Sequence, residues 1–135
     1  MPVNYNVGID LPFTASGDAN TWQYNFVKPA GTAKRFIIAD GASNPFPLGV
    51  LQDDPRSEDV GAVRFFGSTL VKMDAAGTAI GYGDFLACGS TGMAVITTGS
   101  VIQGISMTAV SSGASIIGEM LLIPFGRSAI IDNTP

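Results

Sequence analysis

Glycine and proline divide this chain into short segments, and this feature constrains its fold more than any other. The 135 residues include 17 glycines and 8 prolines, which are spread over the whole length. Both residue types interrupt helices and favour turns. No stretch keeps a helical spacing of apolar residues for long without a glycine or a proline. The pattern therefore predicts an all-β domain, a small barrel or sandwich of short antiparallel strands.

The length fits a single domain, and the first residues differ in character from the rest. Residues 1–20 are rich in proline, glycine and asparagine and are predicted to form an extended N-terminal arm, while residues 21–135 form a single β domain. Apolar residues alternate with small or polar ones in the arm, which is typical of a strand that adds to another sheet. A frayed terminus is the alternative interpretation.

Several strands and breaks can be placed along the domain. Three aromatic residues alternate with polar ones and predict a strand that faces either the core or a partner: Trp22, Tyr24 and Phe26. Another strand is predicted over Gly61–Phe66, with a bend at Gly67–Ser68 before a further strand over Thr69–Met73. The acidic stretch Asp53–Asp59 is predicted to be an exposed loop.

Charge limits the classes of partner. Seven Lys and Arg against eleven Asp and Glu give a net charge of −4, which does not suit contact with nucleic acid. Charged residues make up 13% of the chain, against about 25% in an ordinary domain. A surface so poor in charge suits a protein that partners largely cover. The N-terminus lacks the pattern of a signal peptide, and no apolar run is long enough to span a membrane.

The chain carries few groups that could do chemistry. It has no histidine, so Ser-His-Asp and Cys-His sites are excluded. Cys88 is interpreted as a small buried apolar residue. The acidic loop could bind a hard cation, but its spacing departs from that of an EF-hand, and a solvated loop is favoured. Asp74 and Asp84 are expected to cap backbone amides in turns. The sequence therefore predicts neither an enzyme nor a bound cofactor or metal.

The second half of the chain resembles a known family. The stretches that carry the resemblance are Ile80–Leu86 (IGYGDFL), Gly92–Val95 (GMAV), Val101–Ser106 (VIQGIS) and Gly118–Ile123 (GEMLLI). Together they resemble the capsid decoration, or cement, proteins of tailed bacteriophages, over residues 60–125. Gln103 departs from the family pattern, because it lengthens the third stretch by one residue.

The resemblance implies a structural protein of the virion. Such a protein is made in the host cytoplasm and sits on the outer surface of the phage capsid, often as a homotrimer. There it bridges neighbouring copies of the major capsid protein and stabilises the shell, with no cofactor. The alternatives are another virion component, such as a head fibre base or a tail-associated module, and a small β-sandwich that binds a ligand.

The arm is the expected point of attachment. Its alternating apolar residues and the single tryptophan are the candidate interface residues: Val3, Tyr5, Val7, Ile9, Leu11, Phe13 and Trp22. An extended segment can add a strand to a neighbouring subunit, and aromatic residues often anchor interfaces.

Overall fold

The computed structural model describes residues 7–41, 47–97 and 101–128, with side chains up to residue 123. The described residues contain nine strands and no helix, which confirms the all-β prediction. The strands are β1 (Gly8–Ala15), β2 (Phe26–Pro29), β3 (Arg35–Ile38), β4 (Gly49–Leu51), β5 (Val60–Met73), β6 (Phe85–Cys88), β7 (Ala94–Ile96), β8 (Val101–Ser106) and β9 (Ile116–Ser128).

The strands close into two small barrels that share one long strand. In the first barrel, β1, β3, β2, β4 and β5 pair in a ring that returns to β1. In the second, β5, β7, β6, β8 and β9 pair in a ring that returns to β5. Closure removes most sheet edges, which are otherwise open to unwanted pairing.

The shared strand β5 changes partner at Gly67. Its first half pairs with β1 and its second half with β9, and Gly67 lies opposite both Gly8 and Leu122. Gly67 has a φ of 100°, a conformation that favours glycine. The bend predicted at Gly67–Ser68 therefore coincides with a positive φ at Gly67, but β5 continues through it as one strand.

Each barrel has its own apolar core. The first core is built around Val27, Phe36, Leu51 and Val63. The second core is larger and its buried members include Phe26, Val50, Val71, Met73, Ile80, Leu86, Cys88 and Met120. The short apolar runs that glycine and proline separate in the sequence thus supply the side chains of two cores.

Two strands lie between the cores and are buried on both faces. In β2, Phe26 packs into the second core and Val27 into the first. In β4, Val50 and Leu51 divide in the same way. Successive side chains of a strand point to opposite faces, so a strand with a core on each side shows neighbouring apolar residues in place of alternation.

The aromatic alternation at residues 22–26 does not form the predicted strand. Tyr24 has a φ of 68°, which breaks an extended backbone, and β2 begins only at Phe26. Backbone hydrogen bonds link Trp22 N–H to Ala19 O and Asn25 N–H to Trp22 O, as in turns. The turn allows Trp22 to pack against the first core while Phe26 enters the second. The prediction of a strand here is wrong because the two aromatics serve different cores.

Candidate functional site

The described residues offer no cluster suited to metal binding. No group of three or more Cys, Asp or Glu side chains among them could hold a metal ion. Cys88 is buried, as predicted, and burial raises the pKa of its thiol to about 12. A thiol with this pKa stays protonated near neutral pH and is a poor nucleophile. In the part of the chain that the structure covers, no helix has the length and apolar character needed to cross a bilayer.

The carboxylates that looked like candidate ligands are used by the fold. Asp53 accepts hydrogen bonds from the Ala62 N–H at 3.2 and 3.3 Å, and partial burial raises the pKa of its carboxyl. Asp74 accepts from the Ala76 N–H at 3.0 Å. These contacts confirm the capping role predicted for Asp74 and leave the acidic loop as a folded, exposed turn.

Asp84 and Glu58 have structural partners too. Asp84 accepts from the Gly81 N–H at 2.6 Å, which confirms its predicted capping role. Glu58 forms an ion pair with Arg35 on the surface of the first barrel. These carboxylates therefore have structural roles, and the exposed apolar side chains are better candidates for a functional surface.

The N-terminal strand β1 runs out beyond the core that it helps to build. Its alternate side chains are 0% exposed at Ala15, half-buried at Phe13, 44% exposed at Leu11, 54% at Ile9 and 64% just before the strand at Val7. Large apolar side chains at such exposure would be stabilised by a partner. We call Val7, Ile9 and Leu11 the β1 strip.

The β1 strip is extended by an aromatic neighbour. Ile9 lies directly opposite Phe66 of β5, and Phe66 is 45% exposed. Side chains of directly opposed residues are about 5 Å apart, so these two form one continuous apolar surface. The surface combines aliphatic and aromatic groups, as the centres of protein interfaces do.

An ion pair holds β1 at this position. The Arg64 guanidinium donates to both carboxylate oxygens of Asp10, at 2.7 and 3.2 Å, and also to Ser68 O at 3.0 Å. The side chains of Arg64 and Asp10 are 10% and 31% exposed, so this bidentate contact is partly shielded from water. Ser68 N–H also donates to Val7 O at 2.8 Å. The β1 strip is therefore fixed in the fold although its side chains face outward.

One edge of β1 is open along most of its length. Within the described residues, β3 pairs with this edge only at Thr14 and Ala15. Thr14 N–H donates to Lys34 O on that side, and the period of two places Pro12 N on the same side. Proline has no N–H to donate, so Pro12 blunts the open edge for regular strand addition. The apolar side chains of β1 are thus a better binding surface than its backbone.

The predicted interface residues divide into three groups. Val3 and Tyr5 lie outside the described residues. Val7, Ile9 and Leu11 form the exposed β1 strip. Phe13 and Trp22 are half-buried and pack against the first core, which leaves less of their surface for a partner. The role of all seven at an interface stays a prediction.

A second apolar surface escaped the sequence analysis. Phe85, Ile105 and Leu121 are direct neighbours across β6, β8 and β9. Phe85 is 48% exposed and Leu121 is 42% exposed, with Ile105 half-buried between them. We call these three residues the second-barrel patch. The run of consecutive apolar residues in β9, from Met120 to Ile123, was a signal for it, because such a strand has apolar groups on both faces.

Comparison with known proteins shows a likeness in fold. No protein-family model matches the chain, and no curated protein matches it in sequence. Among solved structures it is similar to the N base of the head fibre gp8.5 in bacteriophage phi29, with a TM-score of 0.62 and 22% identity. The alignment covers 85% of this chain and 95% of that chain. The chain therefore shares the overall fold of that head fibre base over nearly its whole extent.

Proposed function

We propose that this chain is a non-catalytic structural protein of a phage particle that attaches to the outer surface of the head. The observation that carries the proposal is the fold shared with a head fibre base, which extends over 85% of this chain. The sequence resemblance to capsid decoration proteins is independent of that likeness and suggests the same location. A fold alone does not fix a function, so the surface must supply the mechanism.

The mechanism is the burial of apolar surface against the major capsid protein. The β1 strip supplies the apolar centre of the contact, and the Asp10–Arg64 pair keeps it in place. Burial of apolar area is worth about 25 cal/mol per Å² before the costs of association. Many copies on one shell would act together, so a modest affinity at each position suffices.

Two versions of this role differ in what the protein adds to the head. As a decoration protein, a homotrimer would bridge neighbouring major capsid subunits and stabilise the shell. As the base of a head fibre, it would anchor a further structure without a need to strengthen the shell. The likeness to a head fibre base favours the second version, and the sequence resemblance favours the first.

Binding to heads is the direct test. Purified heads that lack the protein are mixed with the wild-type chain or with Ile9→Glu, and sedimented. We expect the wild type to pellet with the heads and Ile9→Glu to be reduced at least tenfold, because a carboxylate would be buried in the contact. Tyr82→Glu is the matched control, since it adds the same charge at a side chain that is 72% exposed and lies in the turn before β6, away from the β1 strip. Failure of the wild type to bind heads would refute the proposal.

Shell stability separates the two versions. Heads with and without bound protein are heated, and release of their DNA is followed with a dye. A decoration protein should raise the temperature of release, whereas a fibre base should leave it unchanged. Copy number from mass spectrometry of purified particles adds a check, because a tail component would be present in far fewer copies than the major capsid protein.

A further inference from the structure

We propose that a groove at the open edge of β1 binds an acidic side chain on the outer surface of the head, with Lys34 as its ionic partner. The groove has a volume of about 170 Å³ and is lined by Pro12, Phe13, Thr14, Lys34 and Val60. The inference rests on the proposed function and deepens it, because it states the chemistry that the head presents to this chain: a carboxylate beside an apolar group. We call this cavity the Lys34 groove.

The Lys34 groove continues the β1 strip along the strand. Side chains two residues apart share one face of a strand, so Ile9, Leu11 and Phe13 form a single row on β1. Phe13 is half-buried and also lines the groove. A partner that covers Leu11 therefore reaches the groove without leaving β1.

Val60 supplies the apolar wall of the groove. It lies opposite Thr14 where β5 pairs with β1, and it is 61% exposed. Pro12 is exposed as well, and it has no N–H with which a partner strand could pair regularly. Contact at this place must therefore come mainly from side chains, and an apolar side chain of the partner would cover Val60.

The charge of Lys34 is not matched by an acidic partner within the described residues. Three other cations of the first barrel form ion pairs: Lys28 with Asp40, Arg35 with Glu58 and Arg64 with Asp10. Arg56 lies inside the acidic loop Asp53–Asp59. In the part of the chain that the structure describes, no carboxylate comes within ion-pair distance of Lys34. A cation at the rim of an apolar groove selects a partner of opposite charge.

The backbone holds Lys34 beside the groove although its side chain is exposed. Its carbonyl oxygen accepts a hydrogen bond from Thr14 N–H at 2.7 Å, which fixes the turn before β3 against β1. Lys34 has a φ of 63°, a left-handed conformation that is uncommon outside glycine, asparagine and aspartate. Residues in such conformations cluster at functional sites, where the side chain compensates for the strain.

The net charge of the chain limits the proposal to one local ion pair. With a net charge of −4, the chain as a whole would be repelled by a broadly acidic surface. A single carboxylate placed against Lys34 gains attraction there without bringing acidic groups to the rest of the molecule. The pair would thus set the position and orientation of the chain on the head more than its total affinity.

Binding of the full chain to purified heads that lack it tests the inference at two salt concentrations. The measurement is made at about 0.05 M and about 0.5 M NaCl, because salt shortens the range over which exposed charges act. Lys34→Asn removes the cation and tolerates the left-handed backbone, so the fold is retained. Lys34→Arg keeps the charge. Arg56→Asn is the matched control, since it changes the net charge equally at a residue that does not line the groove.

We expect Lys34→Asn to raise the dissociation constant for heads about fivefold at the lower salt and less than about twofold at the higher. Lys34→Arg and Arg56→Asn should stay within about twofold of the wild type at both. Val60→Thr keeps the shape of the side chain but not its apolar character, and it should raise the constant about threefold at both salt concentrations. Circular dichroism verifies that each variant is folded.

Three results would overturn the inference and leave the proposed function standing, provided that the wild type binds heads. One is a Lys34→Asn chain that binds like the wild type at the lower salt, or that is weakened equally at both. Another is an Arg56→Asn chain weakened as much as Lys34→Asn, because net charge would then be the cause. The third is a Val60→Thr chain with unchanged affinity. A wild type that does not bind heads at either salt is a different result, which refutes the proposed function and the inference together.

Discussion

Substitution of Gly67 by alanine tests how the two barrels are joined. At Gly67 the pairing partner of β5 changes from β1 to β9, and the φ of Gly67 is 100°. A residue with a side chain at such a φ costs about 1–3 kcal/mol. A Cβ built on Gly67 would lie 2.3 Å from Val7 O and 2.6 Å from Gly8 Cα, both backbone atoms that cannot rotate away.

The clash adds to the conformational cost. To restore an ordinary contact, Val7 O must move by about 1 Å, which breaks its hydrogen bond from Ser68 N–H at 2.8 Å. A lost hydrogen bond costs about 0.5–1.5 kcal/mol. The two contributions together predict that Gly67→Ala lowers the free energy of unfolding by about 2–4 kcal/mol.

Urea denaturation, followed by circular dichroism, measures this loss. With a slope of about 2 kcal/mol per molar urea, the midpoint should fall by about 1–2 M. Gly77→Ala is the matched control: no atom lies within 4 Å of a Cβ built at Gly77, so its free energy of unfolding should stay within about 0.5 kcal/mol of the wild type. A Gly67→Ala variant as stable as Gly77→Ala would refute the account of the junction.

Two more predictions concern the cores. Leu86→Ala in the second core should lower the free energy of unfolding by about 2–5 kcal/mol. Trp22 packs on the first core, but β5 belongs to both barrels. The unfolding midpoint measured by Trp22 fluorescence should therefore fall as much as the midpoint measured by circular dichroism. An unshifted fluorescence transition would mean that the barrels unfold separately. Burial raises the pKa of the Cys88 thiol to about 12 in the folded chain, against an ordinary value of 9.0 for the unfolded chain. The free energy of unfolding is therefore unaffected by this thiol below pH 9, and it falls by about 1.4 kcal/mol per pH unit from pH 9 to pH 12. Cys88→Ala should flatten this alkaline loss in unfolding experiments between pH 8 and 11, and an identical loss in both chains would contradict the burial of the thiol.

The local features of the fold could be predicted from the sequence, and its pairing could not. Glycine and proline spacing predicted short strands, and the turn roles of Asp74 and Asp84 followed from their neighbours. The two barrels depend on contacts between distant residues, such as Gly8 with Gly67 and Gly67 with Leu122. No local pattern encodes that one strand serves two rings.

The candidate surfaces, too, could be predicted only where they depend on local sequence. The alternation along the arm predicted a strand that adds to another sheet. In the structure β1 pairs with β5 of the same chain, and Ile9 and Leu11 are exposed on it. Trp22 was grouped with them, but it packs on the first core, because the turn at Tyr24 redirects the chain. The second-barrel patch was missed since its members come from three strands whose register only the fold defines.

Cryo-electron microscopy of purified phage particles that contain this chain tests the central claim most directly. The account predicts density for the two barrels on the outside of the head, with the β1 strip against the major capsid protein and Ile9 buried in the contact. Density in the tail or inside the shell, or a head contact made without the β1 strip, would contradict it.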